Sequence, residues 1–269
     1  MRRSNFWEKA ILGLCTLFIM SFAACSDDDD NGGGSSSKVY VPTEMSVSDE
    51  TLVMKYDNSL RLTNIDAKST ASNSESYIYS YAFFYDSDGK LIKMKDEYKD
   101  SEEHSIDEYE YSYKNDSIFR FYLGDEGKTL ESTYIVDSKG FVKERITARH
   151  NDTLIFNYDA VGNLIKTEKS NDEWSYEYGI DFEYDKTTGI SKNINMPHWL
   201  AYDMFDRDDI YFFLLSKANN ITKMTSEGHG QNYVDQFNYK LNAEGYPETA
   251  TWNDWESEST TYTFKYSAK

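Results

Sequence analysis

The chain is poor in cysteine, in histidine, in basic residues and in long apolar runs, and each shortage closes off a class of function. Only two of its 269 residues are cysteine, Cys15 and Cys25, and both stand near the start. Nothing beyond residue 25 can form a disulfide, a redox pair, a zinc–thiolate site or a thiol nucleophile. The roughly 230 residues that follow must therefore hold together by packing, in a length that suits one domain. The four histidines, His104, His150, His198 and His229, never fall at a His-x-x-x-His or related metal-binding spacing. The sequence contains no Gly-x-Ser-x-Gly and no phosphate-binding loop, and it implies no cofactor. "DSDG" at 86–89 resembles half a calcium loop, but no ligand series follows and a hairpin turn is the better reading. "DRDD" at 206–209 reads as a helix-start cluster before a cation site. Acidic residues are so abundant that a close carboxylate pair says nothing about glycoside cleavage. An enzyme ranks third among the function classes.

Basic residues are outnumbered. Losing residues 1–24 would take Arg2, Arg3, Lys9 and Glu8 from totals of 28 basic and 47 acidic residues, leaving 25 and 46 and a net charge of −21. Such a surface repels nucleic acid and anionic membranes, so no nucleic-acid partner is expected. Cations, cationic peptides and neutral ligands stay open.

The longest apolar stretch, residues 10–23, is short of the roughly 20 residues a membrane helix needs. A basic start, a short apolar run and small residues before a cut mark a secretory signal over residues 1–24. The sequence around Phe22, Ala23, Ala24 and Cys25 resembles the bacterial lipobox, with Phe22 where leucine is commonest. That resemblance implies cleavage before Cys25 and a diacylglycerol anchor on it. Ser26, Asp27, Asp28, Asp29 and Asp30 resemble the export signal that directs Bacteroidetes lipoproteins to the cell exterior. "NGGGSSS" at 31–37 completes an acidic and flexible tether over residues 25–38, with a reach of roughly 15 Å for those seven residues.

Residues 39–269 announce strands by alternation. In "WSYEYGIDFEYD", residues 174–185, Trp174, Tyr176, Tyr178, Ile180, Phe182 and Tyr184 share one face and polar residues the other. Tyrosine rows recur at 77–85, 109–113, 237–239 and 262–266. Between them stand turns of the form Tyr-Asp-x-x-Gly-x-Leu at 85–91 and 158–164, with looser copies at 136–142, 184–190 and 239–246. Gly89 and Gly162 are expected at positive φ, which a hairpin exit often needs. Asn-Asp pairs at 151–152, 171–172 and 253–254 form the return turns. Aligned positions recur about every 25 residues, except for a gap of 55 between Tyr184 and Tyr239. The expected fold class is mainly β. It is a long antiparallel meander of about 14–16 strands, curled into a barrel-like or half-barrel sheet with one helical insert on its concave aromatic face.

The insert falls near 197–217, where alternation stops. Pro197 suits a first helical turn, and Trp199, Tyr202, Phe205, Ile210, Phe213 and Leu214 take helical spacings. One kinked helix or two short ones both fit, with Asp208 capping a second segment and Asn219 or Asn220 ending it. A strand at 190–195 followed by a parallel one near 221–226 would make the insert travel one strand length, replacing a strand of the meander. The insert is expected as a core plug that covers the tyrosine rows, with a mobile lid as the alternative.

The Tyr-Asp-x-x-Gly-x-Leu copies resemble the YD repeats of Rhs-type shells. Signal, acidic tether, repeats and the "LSKANNITKM" stretch at 215–224 resemble a Bacteroidetes secreted lipoprotein family of unknown function with a porin-like β fold. The resemblance implies an outer-membrane, lipid-anchored location facing the exterior, and no activity. A spanning barrel is disfavoured, because the aromatics are not confined to two girdles and the chain ends in "YSAK". Two functions stay open: a non-catalytic binding or accessory scaffold for a protein partner, and a carbohydrate-binding module of a glycan-uptake system. Trp199, Trp252 and Trp255 are the candidate ligand-binding residues, weighed against core packing for each.

Overall fold

A computed structural model describes residues 38–69, 77–149, 152–169, 179–228, 231–256 and 258–269. Cys25, the acidic run Ser26 to Asp30, Trp174, Tyr176, Tyr178, His150 and His229 lie outside the described residues, as do the Asn-Asp turns' Asn151, Asn171 and Asp172.

Sixteen strands follow one another around a closed barrel. They are β1 (Tyr40–Val47), β2 (Glu50–Tyr56), β3 (Leu62–Ser69), β4 (Ile78–Tyr85), β5 (Leu91–Lys99) and β6 (His104–Lys114). Then come β7 (Ser117–Gly124), β8 (Gly127–Val136), β9 (Val142–Thr147), β10 (Asp152–Tyr158) and β11 (Leu164–Lys169). The last are β12 (Ile180–Tyr184), β13 (Ile221–Gly228), β14 (Gln231–Leu241), β15 (Pro247–Asn253) and β16 (Ser259–Ala268). Every pairing is antiparallel between neighbours in sequence, and β1 closes the ring against β16. The half-barrel alternative is therefore set aside: a closed ring leaves no unpaired edge.

The Tyr-Asp repeat builds one rim. In each turn the Asp or Asn side chain accepts backbone N–H groups two and four residues on. Asp86 Oδ1 takes Asp88 at 3.0 Å and Lys90 at 2.8 Å; Asp137, Asp159 and Asn242 do the same. Gly89, Gly140, Gly162 and Gly245 occupy the position three after that residue with φ between 82° and 96°, and Leu60 holds it at 60° in the first turn. "DSDG" is thus a hairpin turn.

The strand leaving each of these turns carries one extra residue. Tyr85 pairs with Leu91 while Phe84 pairs with Lys93, so Ile92 bulges; the same shift recurs at Thr63, Lys143, Ile165, Thr222 and Glu248. A bulge bends the strand and increases its twist, and six at one level help the sheet curl shut. They also explain why Ile92 and Ile165 stand exposed beside a strictly alternating row.

The tyrosine hydroxyls stitch unit to unit. Tyr85 donates to the Leu62 carbonyl (2.9 Å), Tyr113 to Leu91 (2.7 Å), Tyr184 to Leu164 (2.8 Å) and Tyr239 to Ile221 (2.6 Å). Tyr266 donates to Pro247 (2.9 Å) and Tyr56 to Pro42 (2.6 Å), which repeats the stitch in the strand pairs on either side of the closure. The repeat's tyrosine is therefore bonded to the apolar end of the preceding repeat, which is why it is tyrosine and not phenylalanine.

The 55-residue gap is one of these turns held open. Asp185 and Asn220 bond like first and last turn residues elsewhere, Asp185 N–H to the Asn220 carbonyl at 3.0 Å and Asn220 N–H to Asp185 Oδ1 at 3.1 Å. Tyr184 pairs with Ile221 as Tyr85 pairs with Leu91. Residues 186–219 thus replace three turn residues, and β12 and β13 are direct neighbours. Two expectations are corrected here. Residues 190–195 form turns and not a strand, and the insert replaces no strand. The insert holds α1 (His198–Arg207), a 3₁₀ turn (Asp209–Tyr211) and α2 (Phe212–Leu215). Asp208 caps the 3₁₀ turn through the Ile210 N–H at 3.0 Å. The second helix ends at Leu215, not at Asn219 or Asn220.

Candidate functional site

The insert fills the lumen. Trp199 packs on Tyr111 of β6 and Tyr134 of β8, Tyr202 on Phe156 of β10, and Phe205 on Phe182 of β12. Tyr211 meets Tyr81 of β4, Phe212 meets Phe237 of β14 and Tyr262 of β16, and Phe213 meets Phe264. Contacts on every side of the ring place the insert inside it, and nearly all residues from 199 to 215 apart from the 206–210 bend are buried. Its base is locked. Asn220 Oδ1 accepts the Ile190 N–H (3.0 Å), Asn219 and Asn163 bond mutually (3.1 and 3.2 Å), and Ser191 Oγ donates to the Leu214 carbonyl (3.0 Å). Gly189 lies so close to the returning chain that a Cβ would sit 2.4 Å from the Ser216 carbonyl oxygen. The insert sits in the lumen as a plug, with its base tied to the barrel rim by these contacts.

One end of the plug carries a buried charge network that the alternation code does not show. Asp203 of α1, fully buried, bonds Arg120 of β7 and the Tyr134 hydroxyl, and Arg207 Nε stands 3.5 Å from it. Arg120 also reaches Glu131 (3.0 Å), Arg207 reaches Asp96 (3.3 Å), and Arg145 of β9 holds Asp206 at 2.6 Å. Burial alone would raise the Asp203 carboxyl, but the charges of Arg120 and Arg207, with the Tyr134 hydrogen bond, hold it below the usual carboxylate range. Burial wins at Asp96, which is raised despite Tyr79 and Arg207. The network ties strands β5, β7, β8 and β9 to α1. "DRDD" thus spans the end of α1 and the start of the 3₁₀ turn that Asp208 caps, and Asp206 is committed to Arg145. Among the described residues, no group of three or more His, Asp or Glu side chains converges to hold a metal ion.

The three candidate tryptophans part company. Trp199 is 2 % exposed and belongs to the core. Trp252 is half-buried, stacked at 5.8 Å on Phe237 and 6.2 Å on Tyr262 inside the wall. Trp255 alone is open, at 54 % exposure, set edge-on to Tyr233 at 4.9 Å. It borders a cleft of about 380 Å³ shared with Asn232, Val234 and Gln236 of β14 and with Asn253 and Asp254. An aromatic face beside three side-chain amides and one carboxylate offers stacking plus paired donors and acceptors.

The outside of the wall is charged. Lys55–Asp66 (2.7 Å), Lys93–Glu108 (2.8 Å), Lys223–Glu183 (2.9 Å) and Lys240–Glu248 (2.8 Å) join neighbouring strands around the circumference, and Lys166–Glu168 (2.6 Å) joins two positions along β11. A lipid-facing charge at mid-bilayer costs about 2–4 kcal/mol for Lys or Arg. The buried apolar rows face inward, and the outer face mixes these ion pairs with exposed apolar side chains such as Ile78, Phe84 and Ile106.

Such an arrangement defines a class: a closed sixteen-strand antiparallel meander barrel with a plugged apolar lumen. No family model matches the chain, and no curated protein matches it. Among solved structures, it is similar to a porin-like protein from Bacteroides uniformis at 15% identity, covering 77% of this chain and 95% of that one, with a TM-score of 0.45. It is also similar to a porin-like protein from Bacteroides vulgatus at 16% identity, covering 84% and 99%, with a TM-score of 0.42.

Proposed function

We propose that this protein is a non-catalytic binding scaffold, held at the cell exterior by a lipid on Cys25. The observation that carries the reading is the filled lumen: a wall whose buried apolar rows close around a plug leaves the rims and outer face as the surfaces on which a partner can act. A protein partner or accessory role fits that arrangement. The second reading, glycan binding, is favoured by the Trp255 cleft, where a sugar face can stack and vicinal hydroxyls can meet Asn232, Gln236 and Asn253. A glycan array probed with the full chain carrying Cys25→Ala tests both. Binding that is lost in Trp255→Ala selects the glycan reading. A blank array, with surface crosslinking to one protein partner in cells, selects the scaffold reading. Turnover of a glycan by the same sample would sink both.

A further inference from the structure

The rim built by the Tyr-Asp turns holds another cleft, of about 360 Å³, between the β2–β3 turn, the β8–β9 turn and the start of α1. Its charged walls are Arg61, Lys139 and Lys217, one from each of three separate segments, and none of the described residues lining it is acidic. Elsewhere the chain carries nearly two acids for each base. Arg61 is held in place: its Nε meets Asp57 Oδ2 at 2.6 Å, and its guanidinium lies 4.8 Å over the Tyr85 ring. It also rests on the bare backbone of Gly89, where a Cβ would stand 2.8 Å from its Nη1. Lys217 spends one donor on the Met196 carbonyl at 3.0 Å and keeps two. Asp57 and Asp137, the carboxylates of the two turns, accept N–H groups within their own turns. Pro197, His198 and Trp199 form the inner wall, where α1 begins with no side-chain cap.

We propose that this cleft binds a small tetrahedral oxyanion, phosphate or a phosphomonoester group. Cations from three segments line one space, so several oxygens of one group can each meet a donor, and a held guanidinium loses little freedom on binding. The source of the group follows from where the chain enters. β1 starts at this rim, with Tyr40 beside Ala268 and its carbonyl bonded by Asn193 at 2.8 Å. A lipid anchor at Cys25, with a tether reaching roughly 20 Å, would bring this rim to the phosphates of a headgroup layer. That source rests on the anchor reading; a free phosphorylated ligand does not.

The test uses the full chain carrying Cys25→Ala, so that no lipid on the protein contributes. Inorganic phosphate is titrated calorimetrically and by tryptophan fluorescence, since Trp199 lines the cleft. Saturable binding is expected, weakened at least about tenfold by Lys139→Gln, the loss of one charge-assisted hydrogen bond. Lys139 is exposed on a turn, so an unchanged thermal melt checks that this variant folds. Sedimentation with vesicles of phosphatidylcholine containing phosphatidic acid, but not with phosphatidylcholine alone, and lost in Lys139→Gln, assigns the group to a lipid. Phosphate binding without sedimentation assigns it to a soluble ligand. If the folded parent binds neither probe, or if Lys139→Gln binds both as the parent does, the proposal is overturned. Trp255→Ala leaves this binding intact, so the glycan reading stands or falls separately.

Discussion

One Asp or Asn side chain and one residue at positive φ, a glycine in four of these turns, shape the Tyr-Asp rim, and their contributions separate by substitution. Gly140 and Gly162 share a positive φ, 84° and 96°, but a Cβ on Gly140 would meet open space while one on Gly162 would lie 3.0 Å from the Phe141 ring. Gly140→Val should lower stability by about 1–2 kcal/mol, the cost of backbone strain for a branched residue. Gly162→Val should lose more, by about another 1 kcal/mol of crowding. Urea denaturation midpoints check the order, and equal losses would refute the crowding term. His198 sets a pH dependence. Burial first, then Lys217, depress its pKa from 6.5 to about 4 against the pull of Asp137. The neutral ring stacks on Phe141 at 4.1 Å. A depressed pKa means that its contribution is fully present above pH 6.5 and is lost as pH falls toward 4. The loss is on the order of 3 kcal/mol, and His198→Gln should flatten that part of the stability–pH curve.

At the scale of the element, the plug is held by packing along its apolar length and by charge at one end. Asp203→Ala would leave Arg120 and Arg207 buried without their shared carboxylate, a loss of about 3–5 kcal/mol. Guanidinium denaturation measures it, and a change under 1 kcal/mol would show that the network is dispensable. The sign with pH follows from the depressed carboxyl: Asp203 stabilises above the unfolded carboxylate range, and this is lost only as pH falls below it. Phe213, fully buried against Phe264 and Tyr211, tests the apolar end. Phe213→Asp should unfold the domain or expose dye-binding surface, since an unpaired buried carboxylate costs several kcal/mol. A parent-like melt would mean that the plug does not support the barrel.

For the whole molecule, the charged outer wall and filled lumen argue against a pore. The full chain should give no conductance steps in planar bilayers, whereas an open, lipid-embedded barrel would. The proposed lipid-anchored, outward-facing address is tested at the N-terminal segment. Cys25→Ala should release the protein from membranes, and replacing Asp27 to Asp30 with Ala should remove its accessibility to protease added outside intact cells. Unchanged accessibility in the second variant would discard the export-signal reading.

Much of the architecture was legible in the residues. Period-two tyrosine rows and recurring Tyr-Asp turns are local patterns, set by the pleat and by turn geometry, so strand number and antiparallel order follow from them. The lost alternation after Pro197 likewise marks the helices. Non-local facts were not legible. Closure depends on β1 meeting β16 across more than 200 residues and on bulges that look like ordinary strand positions in sequence. The direct pairing of Tyr184 with Ile221 is hidden, because Asn220-Ile221 completes a turn begun 35 residues earlier. Nothing local in the chain links Arg120 or Arg145 to Asp203 and Asp206, which the insert brings to them from α1. Trp199 and Trp255 are alike as letters, yet one is core and the other a surface. The chain by itself determines which face of each strand is apolar, because that is a covalent alternation. Only the tertiary structure decides what that face meets, because packing partners and buried charge are settled by closing the ring around its own insert.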